Sequence, residues 1–251
     1  MLKPITTLEH LAFNAWPAFK VVVQDDWILR FADGYSKRAN SVNALARAYD
    51  APGAELEHRI VRAEALYTRQ GIRCVFRISP LMDPQVATLL EARGWAAFEE
   101  TMIMVADLTA EASMPAGVEV AGKRDVIWSR GCMMFNRTAP ERQAIHDRML
   151  DAIVPAAGFA MSCDDDGAPA AFGLGVTEYD HVGLFDIVSD PTRRRAGHGR
   201  RVVEGLMCWG RSLGARRAYL QAVTTNAPAI TLYDRLGFRE AYRVHYRAAP
   251  V

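Results

Sequence analysis

A turn rich in glycine and arginine is the segment of this chain best suited to bind an anion. It reads DPTRRRAGHGR over residues 190–200. The mostly apolar residues 182–188 predict a strand before it, and the amphipathic residues 202–213 predict a helix after it. Glycines let a ligand approach the backbone closely. The free N–H groups and the dipole at the helix start favour an anion, so the spacing predicts a site for a phosphorylated cofactor.

The spacing within this turn excludes two common phosphate-binding motifs. The dinucleotide fingerprint requires a third glycine three residues after the second, where this chain has Val202. A P-loop requires Gly-Lys-Ser/Thr after four spacer residues, and the turn contains no such sequence. The motif that remains is Arg-x-x-Gly-x-Gly over residues 194–199, with Pro191 three residues before it.

A second motif follows the turn after one predicted helix and one predicted strand. Residues 226–238 read NAPAITLYDRLGF, which gives the pattern Asn-x-x-Ala-x-x-x-Tyr followed by Gly-Phe. In this order the two motifs resemble the acetyl-CoA-binding region of the GNAT superfamily of N-acetyltransferases. The resemblance covers residues 161–247 well and residues 118–160 loosely. Residues 37–42, KRANSV, resemble a bacterial subgroup whose first half is a degenerate acetyltransferase-like domain.

The resemblance implies that acetyl-CoA is the co-substrate and that no metal is needed. The turn would hold the CoA phosphates through backbone N–H groups and guanidinium groups, using Arg194, Arg195, Ala196, Gly197, His198, Gly199 and Arg200. The side chain of His198 is interpreted as filling a variable position. The strand before the turn would pair with the pantetheine amides, and an N–H there would polarise the thioester carbonyl, through Ile187, Val188 and Ser189. A solvated basic face is the alternative for the arginines.

The resemblance also gives roles to two residues of the second motif. Asn226 would contact the cofactor arm, and Tyr233 would protonate the departing thiolate. A phenol suits this role because its ordinary pKa of about 10 lies above that of a thiol, so it remains a proton donor at neutral pH. The alternative for Tyr233 is packing on an apolar helix face near Phe238. The alternative for Asn226 is a helix N-cap, which is compatible with the cofactor role.

Two carboxylates are candidates for the general base that takes the proton of the amine. Asp186 interrupts an otherwise apolar predicted strand, and its side chain should point opposite to Phe185 and Ile187. A charge there needs a partner, because a buried unpaired charge is costly. Glu178, at the end of the preceding predicted strand, is the second candidate. The alternatives are an arginine partner for Asp186 and an exposed strand end for Glu178.

The elements that must position these residues alternate between strands and helices. In the second half, alternating and apolar patterns predict strands at residues 158–162, 170–178, 181–189, 219–223 and 238–247. Amphipathic patterns predict helices at residues 125–135, 140–153, 199–213 and 228–236. Asp166-Gly167 predicts a hairpin turn, and Gly214 is predicted to cap a helix in the left-handed conformation.

The two halves of the chain end alike, which predicts a repeat. Residues 89–95, LLEARGW, match residues 232–238, LYDRLGF: each is a helix end, a glycine and an aromatic residue that opens a strand. Chance recurrence of this junction is the alternative. In the first half we predict strands at 27–31, 74–78 and 95–108, and helices at 55–70 and 84–92.

The patterns predict an α+β chain with an internal repeat, and the resemblance implies that the repeat consists of two tandem GNAT-like mixed-sheet domains with flanking helices. The boundary falls in the small-residue-rich segment 109–117, which shows no apolar period. Residues 1–108 are expected to form the degenerate GNAT-like domain. Residues 117–251 are expected to form the acetyl-CoA-binding catalytic domain.

Composition limits the classes of partner. The 251 residues are 50% hydrophobic and 24% charged, with a net charge of +1, so no general attraction to nucleic acid is expected. The apolar runs are shorter than the ~20 residues that span a bilayer, and residues 1–10 lack a signal-peptide core. Four widely spaced cysteines favour a reducing compartment over disulfides or a zinc site. We therefore predict a cytoplasmic protein that binds neither nucleic acid nor membrane.

The predicted function is transfer of an acetyl group from acetyl-CoA to a primary amine by direct attack. The acceptor stays open between a small-molecule amine and a protein or peptide amine, and so does the oligomeric state. One alternative is a non-catalytic sensor or regulatory module that binds acyl-CoA. Another is an interaction protein whose first half exposes aromatic residues, namely Trp16, Trp27 and Tyr35; burial in the core is the favoured interpretation of these residues.

Three polar residues of the first half are candidates for acceptor contacts because they cluster in sequence. They are Arg38, Asn40 and Asn43. Hydrogen bonds that stabilise a turn are the favoured interpretation of this cluster.

Overall fold

The computed structural model describes residues 2–47, 52–108, 113–193 and 195–250. The chain divides into two compact units. The first comprises Met1–Met102, Val223–Thr225 and Ala241–Val251, and the second comprises Ile103–Ala222 and Asn226–Glu240. The predicted domains, 1–108 and 117–251, remain a prediction. The bounds of the compact units differ from them, because the C-terminal segment Ala241–Val251 belongs to the first unit.

Along the described residues, the first unit begins with the following helices and strands, given in chain order. They are α1 (Leu2–Ala15), β1 (Lys20–Gln24), β2 (Trp27–Phe31), a short 3₁₀ helix (Lys37–Ala39), β3 (Val42–Ala44), α2 (Gly53–Arg69), β4 (Val75–Ile78), α3 (Pro84–Ala92) and β5 (Ala96–Asp107). From Ile103 onwards, β5 belongs to the second unit. The predicted helices and strands are confirmed within two residues at each end, and the sequence patterns missed α1, β1 and β3.

The strands of the first unit are ordered β1-β2-β3-β4-β11-β5, where β11 is Arg239–Ala248. Its core is aromatic: Phe76 meets Trp27 and Trp95 edge to face, with ring centroids 5.3 and 5.7 Å apart. Trp16 and Trp27 are both buried. This confirms the core interpretation of the tryptophans, and the first half does not present them as an exposed surface.

The polar cluster of the first unit stabilises its own loop. Asn40 Oδ1 accepts hydrogen bonds from the backbone N–H groups of Ala32 (2.7 Å) and Gly34 (3.0 Å). Asn43 Nδ2 donates to the Ser41 carbonyl (2.8 Å), and the Arg38 carbonyl accepts from Arg30 Nη1 (2.7 Å). The turn interpretation of these residues is therefore confirmed.

The second unit carries the segments that hold both motifs. Its elements are β6 (Val118–Ala121), α4 (Val126–Phe135), α5 (Pro140–Asp151), β7 (Ala156–Cys163), β8 (Pro169–Glu178), β9 (His181–Ser189), α6 (His198–Ser212), β10 (Arg217–Val223) and α7 (Ala227–Arg235). The strand order is β5-β10-β9-β8-β7-β6. Strands β6 to β9 pair antiparallel, whereas β9 and β10 are parallel, so the sheet is mixed as predicted.

Predicted glycine conformations in the second unit are also confirmed. Gly167 in the β7–β8 hairpin has φ +80° and Gly214 after α6 has φ +98°, both in the left-handed region. The sequence patterns missed only β6 among these elements. Across the described ranges, none of the helices combines the length and the apolar character that a membrane crossing requires.

Helix α6 lies very close to the sheet because the strands beneath it carry glycine. A Cβ atom at Gly173 of β8 would lie 2.6 Å from Val202 Cγ1 and 2.7 Å from Ile187 Cδ1. On the helix itself, a Cβ at Gly210 would lie 2.6 Å from Val182 Cβ. These separations are shorter than any carbon–carbon contact, so the glycines set the distance between helix and sheet and fix where the helix begins.

We expect Gly173→Ala to lower the free energy of unfolding by about 1–3 kcal/mol, because the added methyl group overpacks the interface with α6. The matched control is Gly122→Ala, since a Cβ at Gly122 meets no atom within 4 Å. Chemical denaturation of both variants measures the difference. Equal stabilities would show that the α6 interface has room for the methyl group.

Candidate active site

The parallel strands β9 and β10 pair at one end and separate at the other. Their register runs from Arg217 opposite His181 to Leu220 opposite Leu184, and no further pair forms among the described residues. Strand β9 continues to Ser189, and its other edge still pairs with β8, where Val188 lies opposite Phe172. The backbone groups of residues 185–189 that face β10 are therefore available to an extended ligand, which can bind as an added strand.

A β-bulge distorts β9 at the start of this separation. Gly173 of β8 faces two residues, Asp186 and Ile187, because the register shifts between Phe172 and Leu174. Asp186 has φ +48°, in the left-handed region that few residues other than glycine adopt. The bulge breaks the simple alternation of side chains along the strand.

Because of the bulge, the Asp186 side chain points in a direction that differs in part from the prediction. Ile187 packs towards Val202 of α6, whereas Asp186 contacts α5 on the other face of the sheet. Phe185 also faces away from α6. Val182 contacts Gly210 of α6, so Gly183 faces the other side of the sheet, and there the Phe185 ring packs against Tyr219 with centroids 6.0 Å apart. Asp186 is therefore opposite to Ile187 as predicted, but it shares a face with Phe185, and this part of the prediction is wrong.

The partner of Asp186 is a histidine and not the arginine of the alternative interpretation. His146 Nε2 lies 2.7 Å from Asp186 Oδ2. The imidazole is only 1% exposed, and the Asp186 side chain is 18% exposed. The sequence analysis missed His146; its signal is a place on the buried face of α5 with Met149 and Leu150, at i, i+3 and i+4.

A buried thiol completes the surroundings of Asp186. Burial raises the pKa of Cys132 on α4 above its ordinary range, and the Asp186 charge raises it further. The thiol is therefore protonated at neutral pH, and a protonated thiol is a poor nucleophile. Cys132 is thus poorly suited to act as a nucleophile.

The polypeptide turns sharply before α6. Arg195 and Gly197 both have positive φ, +67° and +84°, and Gly197 is the N-cap of the helix. The first N–H groups of a helix have no carbonyl partner within it, so the backbone at residues 198–200 can donate to an anion. A Cβ at Gly199 would lie 2.8 Å from Ser189 Oγ, so a larger residue there would require the Ser189 side chain to move. Arg194 lies outside the described residues.

The arginines around this turn differ in their partners. Arg193 forms ion pairs with Asp164 and Asp190, and Arg200 Nε lies 2.8 Å from Glu204 Oε1. Hydrogen bonds from Thr192 to the Asp190 carboxylate lower the pKa of Asp190. Arg195 is exposed and makes no ion pair with any described residue. Two of these guanidinium groups, those of Arg193 and Arg200, are therefore paired with carboxylates of the same unit.

His198 ties the first turn of α6 to strand β7. Its buried Nδ1 lies 2.7 Å from Arg201 Nη2 and 3.1 Å from Ser162 Oγ. A guanidinium group only donates hydrogen bonds, so Nδ1 is unprotonated. Burial lowers the pKa of His198, and the charges of Arg201 and Arg193 lower it further. The interpretation of His198 as a residue that merely fills a variable position is therefore wrong.

We expect this histidine to make stability depend on pH. The unfolded chain takes up a proton near the ordinary pKa of about 6.5, and the folded chain takes it up only at lower pH, so stability falls as the solution is acidified through that range. His198→Gln should reduce the loss of unfolding free energy between about pH 7.5 and about pH 5.5. Chemical denaturation of the wild type and of His198→Gln at both pH values measures this loss of unfolding free energy. The same loss in the wild type and in the variant would exclude this role of His198.

Asn226 and Tyr233 occupy the two ends of α7. Asn226 Oδ1 accepts from the Ala229 N–H (3.3 Å) and so caps the helix, as the alternative interpretation proposed. Tyr233 is buried, and its ring meets Phe238 edge to face with centroids 5.9 Å apart. Both residues stabilise α7 in the same unit as the separated strands, and these roles are compatible with contacts to a ligand.

Glu178 does not reach the strand separation. It pairs with His181, at the other end of β9. His181 lies five residues before Asp186, so the two positions are roughly 17 Å apart along the strand. Its charge acts instead on Tyr219, whose pKa is raised by burial and then by Glu178. The prediction that Glu178 shares the catalytic role is therefore not supported by its position.

A buried amide oxygen marks the other strand at the point of separation. Gln221 follows the last paired residue of β10, Leu220, and its Oε1 is buried without a hydrogen-bond partner in the described part of the chain. Tyr219 faces away from α6, and Gln221 is two residues further along, so both lie on the face that Asp186 shares. An unsatisfied buried acceptor is costly, so this position favours a ligand that donates a hydrogen bond.

The comparison with known families agrees with this geometry. Residues 3–247 match the family model described as "Probable histone acetyltransferase Rv0428c C-terminal". The chain belongs to this acetyltransferase family. It therefore belongs to the GNAT superfamily and is a CoA-dependent acyltransferase, as the two sequence motifs predicted.

Relatives of this GNAT protein extend over nearly its whole length. The chain is 26% identical over 248 residues to "Uncharacterized N-acetyltransferase YobR" of Bacillus subtilis strain 168, covering 97% of this chain and 98% of the relative. A GCN5-related N-acetyltransferase from Kribbella flavida has a similar fold, with a TM-score of 0.72, 15% identity, and coverage of 98% and 95%. The fold is also similar to that of a tandem GNAT protein from the clavulanic acid biosynthesis pathway, with a TM-score of 0.65 and 14% identity. The match covers 97% of this chain and 88% of that protein. The predicted fold class is confirmed.

Proposed function

We propose that the second unit transfers the acetyl group of acetyl-CoA to a primary amine by direct attack. The observation that carries this proposal is the separation of β9 from β10 beside the start of α6. One unit thus offers a free strand edge for a chain with amide groups and, next to it, helix N–H groups for its phosphates. Acetyl-CoA has both parts in this order.

The residues present fit such a donor at three places. Backbone N–H groups of residues 195–200 would hold the pyrophosphate, with Arg195 beside it. The free edge of Ile187, Val188 and Ser189 would pair with the pantetheine amides. The unsatisfied Gln221 Oε1 would accept a hydrogen bond from an N–H of that arm, and Asn226 would contact the arm from the start of α7.

The chemistry requires a proton donor, a proton acceptor and stabilisation of a carbonyl oxygen. A backbone N–H of residues 187–189 would donate to the thioester oxygen while negative charge develops on it. Tyr233 would donate the phenolic proton to the sulfur that leaves. Asp186 would take the proton of the attacking nitrogen. None of these roles uses a metal, and the described residues include no group of three or more metal-binding side chains.

The acceptor is a primary amine of a small molecule or of a protein or peptide. The family description names a histone acetyltransferase, and this supports an arm of the assay with lysine-containing peptides. Release of CoA thiol should therefore be measured over a panel of small amines, amino acids, histone-tail peptides and peptides with a free N-terminus. The non-catalytic alternative, an acyl-CoA sensor, predicts binding of acetyl-CoA in calorimetry with no thiol release from any member of the panel.

We expect Tyr233→Phe to lower kcat by about 10²–10⁴-fold, because the leaving thiolate loses its proton donor. Calorimetry should show unchanged acetyl-CoA affinity, since the ring and its packing on Phe238 are retained. Tyr179→Phe is the matched control, because Tyr179 lies in an exposed turn remote from the separation. Absence of acetyl-CoA binding to the intact chain would overturn the proposed function, and full activity in Tyr233→Phe would overturn the role of Tyr233 as the proton donor.

A further inference from the structure

We propose that His146 is a positioning residue that holds one oxygen of Asp186, so that the other oxygen takes the proton of the acceptor amine. The inference rests on the proposed function, because it gives that reaction its base and the device that aims the base. It also defines the acceptor by charge, as an amine that arrives as an ammonium ion.

The two carboxylate oxygens of Asp186 have different roles, one bound to the histidine and the other left to accept a proton. Asp186 Oδ2 is 2.7 Å from His146 Nε2. Asp186 Oδ1 has no hydrogen-bond partner in residues 2–47, 52–108, 113–193 and 195–250, and the side chain is partly exposed. A carboxylate only accepts hydrogen bonds, so His146 carries its proton on Nε2 and donates it. One oxygen is thereby held by the imidazole, and the other is left to accept a proton.

The imidazole is mounted rigidly enough to serve as this anchor. His146 is almost completely buried on α5, and its ring lies nearly parallel to Trp128 of α4, at an angle of 11° and a centroid distance of 6.5 Å. Trp128 is itself fixed, because its Nε1 donates to the Ala160 carbonyl of β7 at 3.0 Å. The donor therefore belongs to the packed core and not to a mobile loop, as a catalytic arrangement requires.

The charges around the pair leave Asp186 as a suitable partner for a cation. From α4, the Cys132 thiol is neutral because burial raises its pKa. From α5, Asp147 is compensated by Arg124, whose Nη1 lies 2.7 Å from its Oδ1. From β10, burial raises the pKa of the Tyr219 phenol, so it too is neutral at physiological pH. The Asp186 carboxylate thus presents a negative charge to which an ammonium group binds favourably.

The step balances in atoms and protons. The ammonium group first releases one proton to solvent water, and the neutral amine nitrogen then forms a bond to the acetyl carbonyl carbon while the carbon–sulfur bond breaks. The remaining extra proton on nitrogen passes to Asp186 Oδ1, and the sulfur takes the proton of Tyr233. The protonated Asp186 and the Tyr233 phenolate return to their starting states by exchange with water.

The test is a double-mutant cycle with His146→Phe, Asp186→Asn and the double variant, using acetyl-CoA and the amine with the highest thiol-release rate in the panel. We expect Asp186→Asn to lower kcat by about 10²–10⁴-fold. His146→Phe should lower it about 10- to 100-fold, the strength of one hydrogen bond to a charged group. The double variant should equal Asp186→Asn within about twofold, because the two residues act as one unit.

Two further variants separate positioning from folding. His146→Gln should stay within about fivefold of the wild-type kcat, because its amide N–H replaces the imidazole donor. His58→Gln, on the exposed face of α2, is the matched control. All variants should bind acetyl-CoA with unchanged affinity in calorimetry, and thermal unfolding reports any that fail to fold.

The outcomes distinguish this inference from the proposed function. Independent effects of His146→Phe and Asp186→Asn that multiply in the double variant would show a merely structural histidine and overturn the inference. Wild-type activity in Asp186→Asn would overturn it as well, while thiol release by the intact chain would still support the proposed function. No thiol release by the intact chain from any panel amine would contradict the proposed function, and the inference with it.

Discussion

In the second unit, two parallel strands stop pairing after Leu184 and Leu220, although both continue. Backbone N–H and C=O groups must find partners when they are removed from water. A strand edge that ends its pairing inside a mixed sheet therefore favours a ligand with amide groups of its own. The proposed site depends on this constraint, because the glycine- and arginine-rich turn, the bulge and the buried Gln221 oxygen all lie around the same separation.

The close approach of α6 to the sheet links the fold to the chemistry. Glycines such as Gly173 and Gly210 remove the side chains that would hold the helix away. The helix can then begin beside the end of β9, with Gly199 against Ser189. On the opposite face, α4 and α5 bury the histidine that holds Asp186. In the proposed mechanism, phosphate binding and proton transfer take place on different faces of the same strand, and the bulge at Asp186 lies between them.

Much of this arrangement could be predicted from the sequence. The helix and strand bounds followed from apolar periods and from glycine stops, and the mixed-sheet fold class followed from two motifs in order. Short strands such as β3 and β6 were missed, because three or four residues give too few repeats to show a period. The helix α1 was missed as well.

The site was less predictable than the fold, because it depends on contacts distant in sequence. Asp186 could be singled out as a mid-strand acid, but a bulge leaves no local signal, so its direction relative to Phe185 was predicted wrongly. Its partner, His146, is 40 residues away. Glu178 looked equivalent to Asp186 in sequence, and only the strand register shows that it lies at the other end of β9.

Hydrogen–deuterium exchange with and without acetyl-CoA tests the central claim most directly. It reports, for each peptide segment, whether backbone N–H groups gain hydrogen bonds. The account predicts slower exchange at residues 187–189, on the free edge of β9, and at residues 195–200, at the start of α6. Unchanged exchange at both segments under saturating acetyl-CoA would contradict the claim that the separation of β9 and β10 is the donor site.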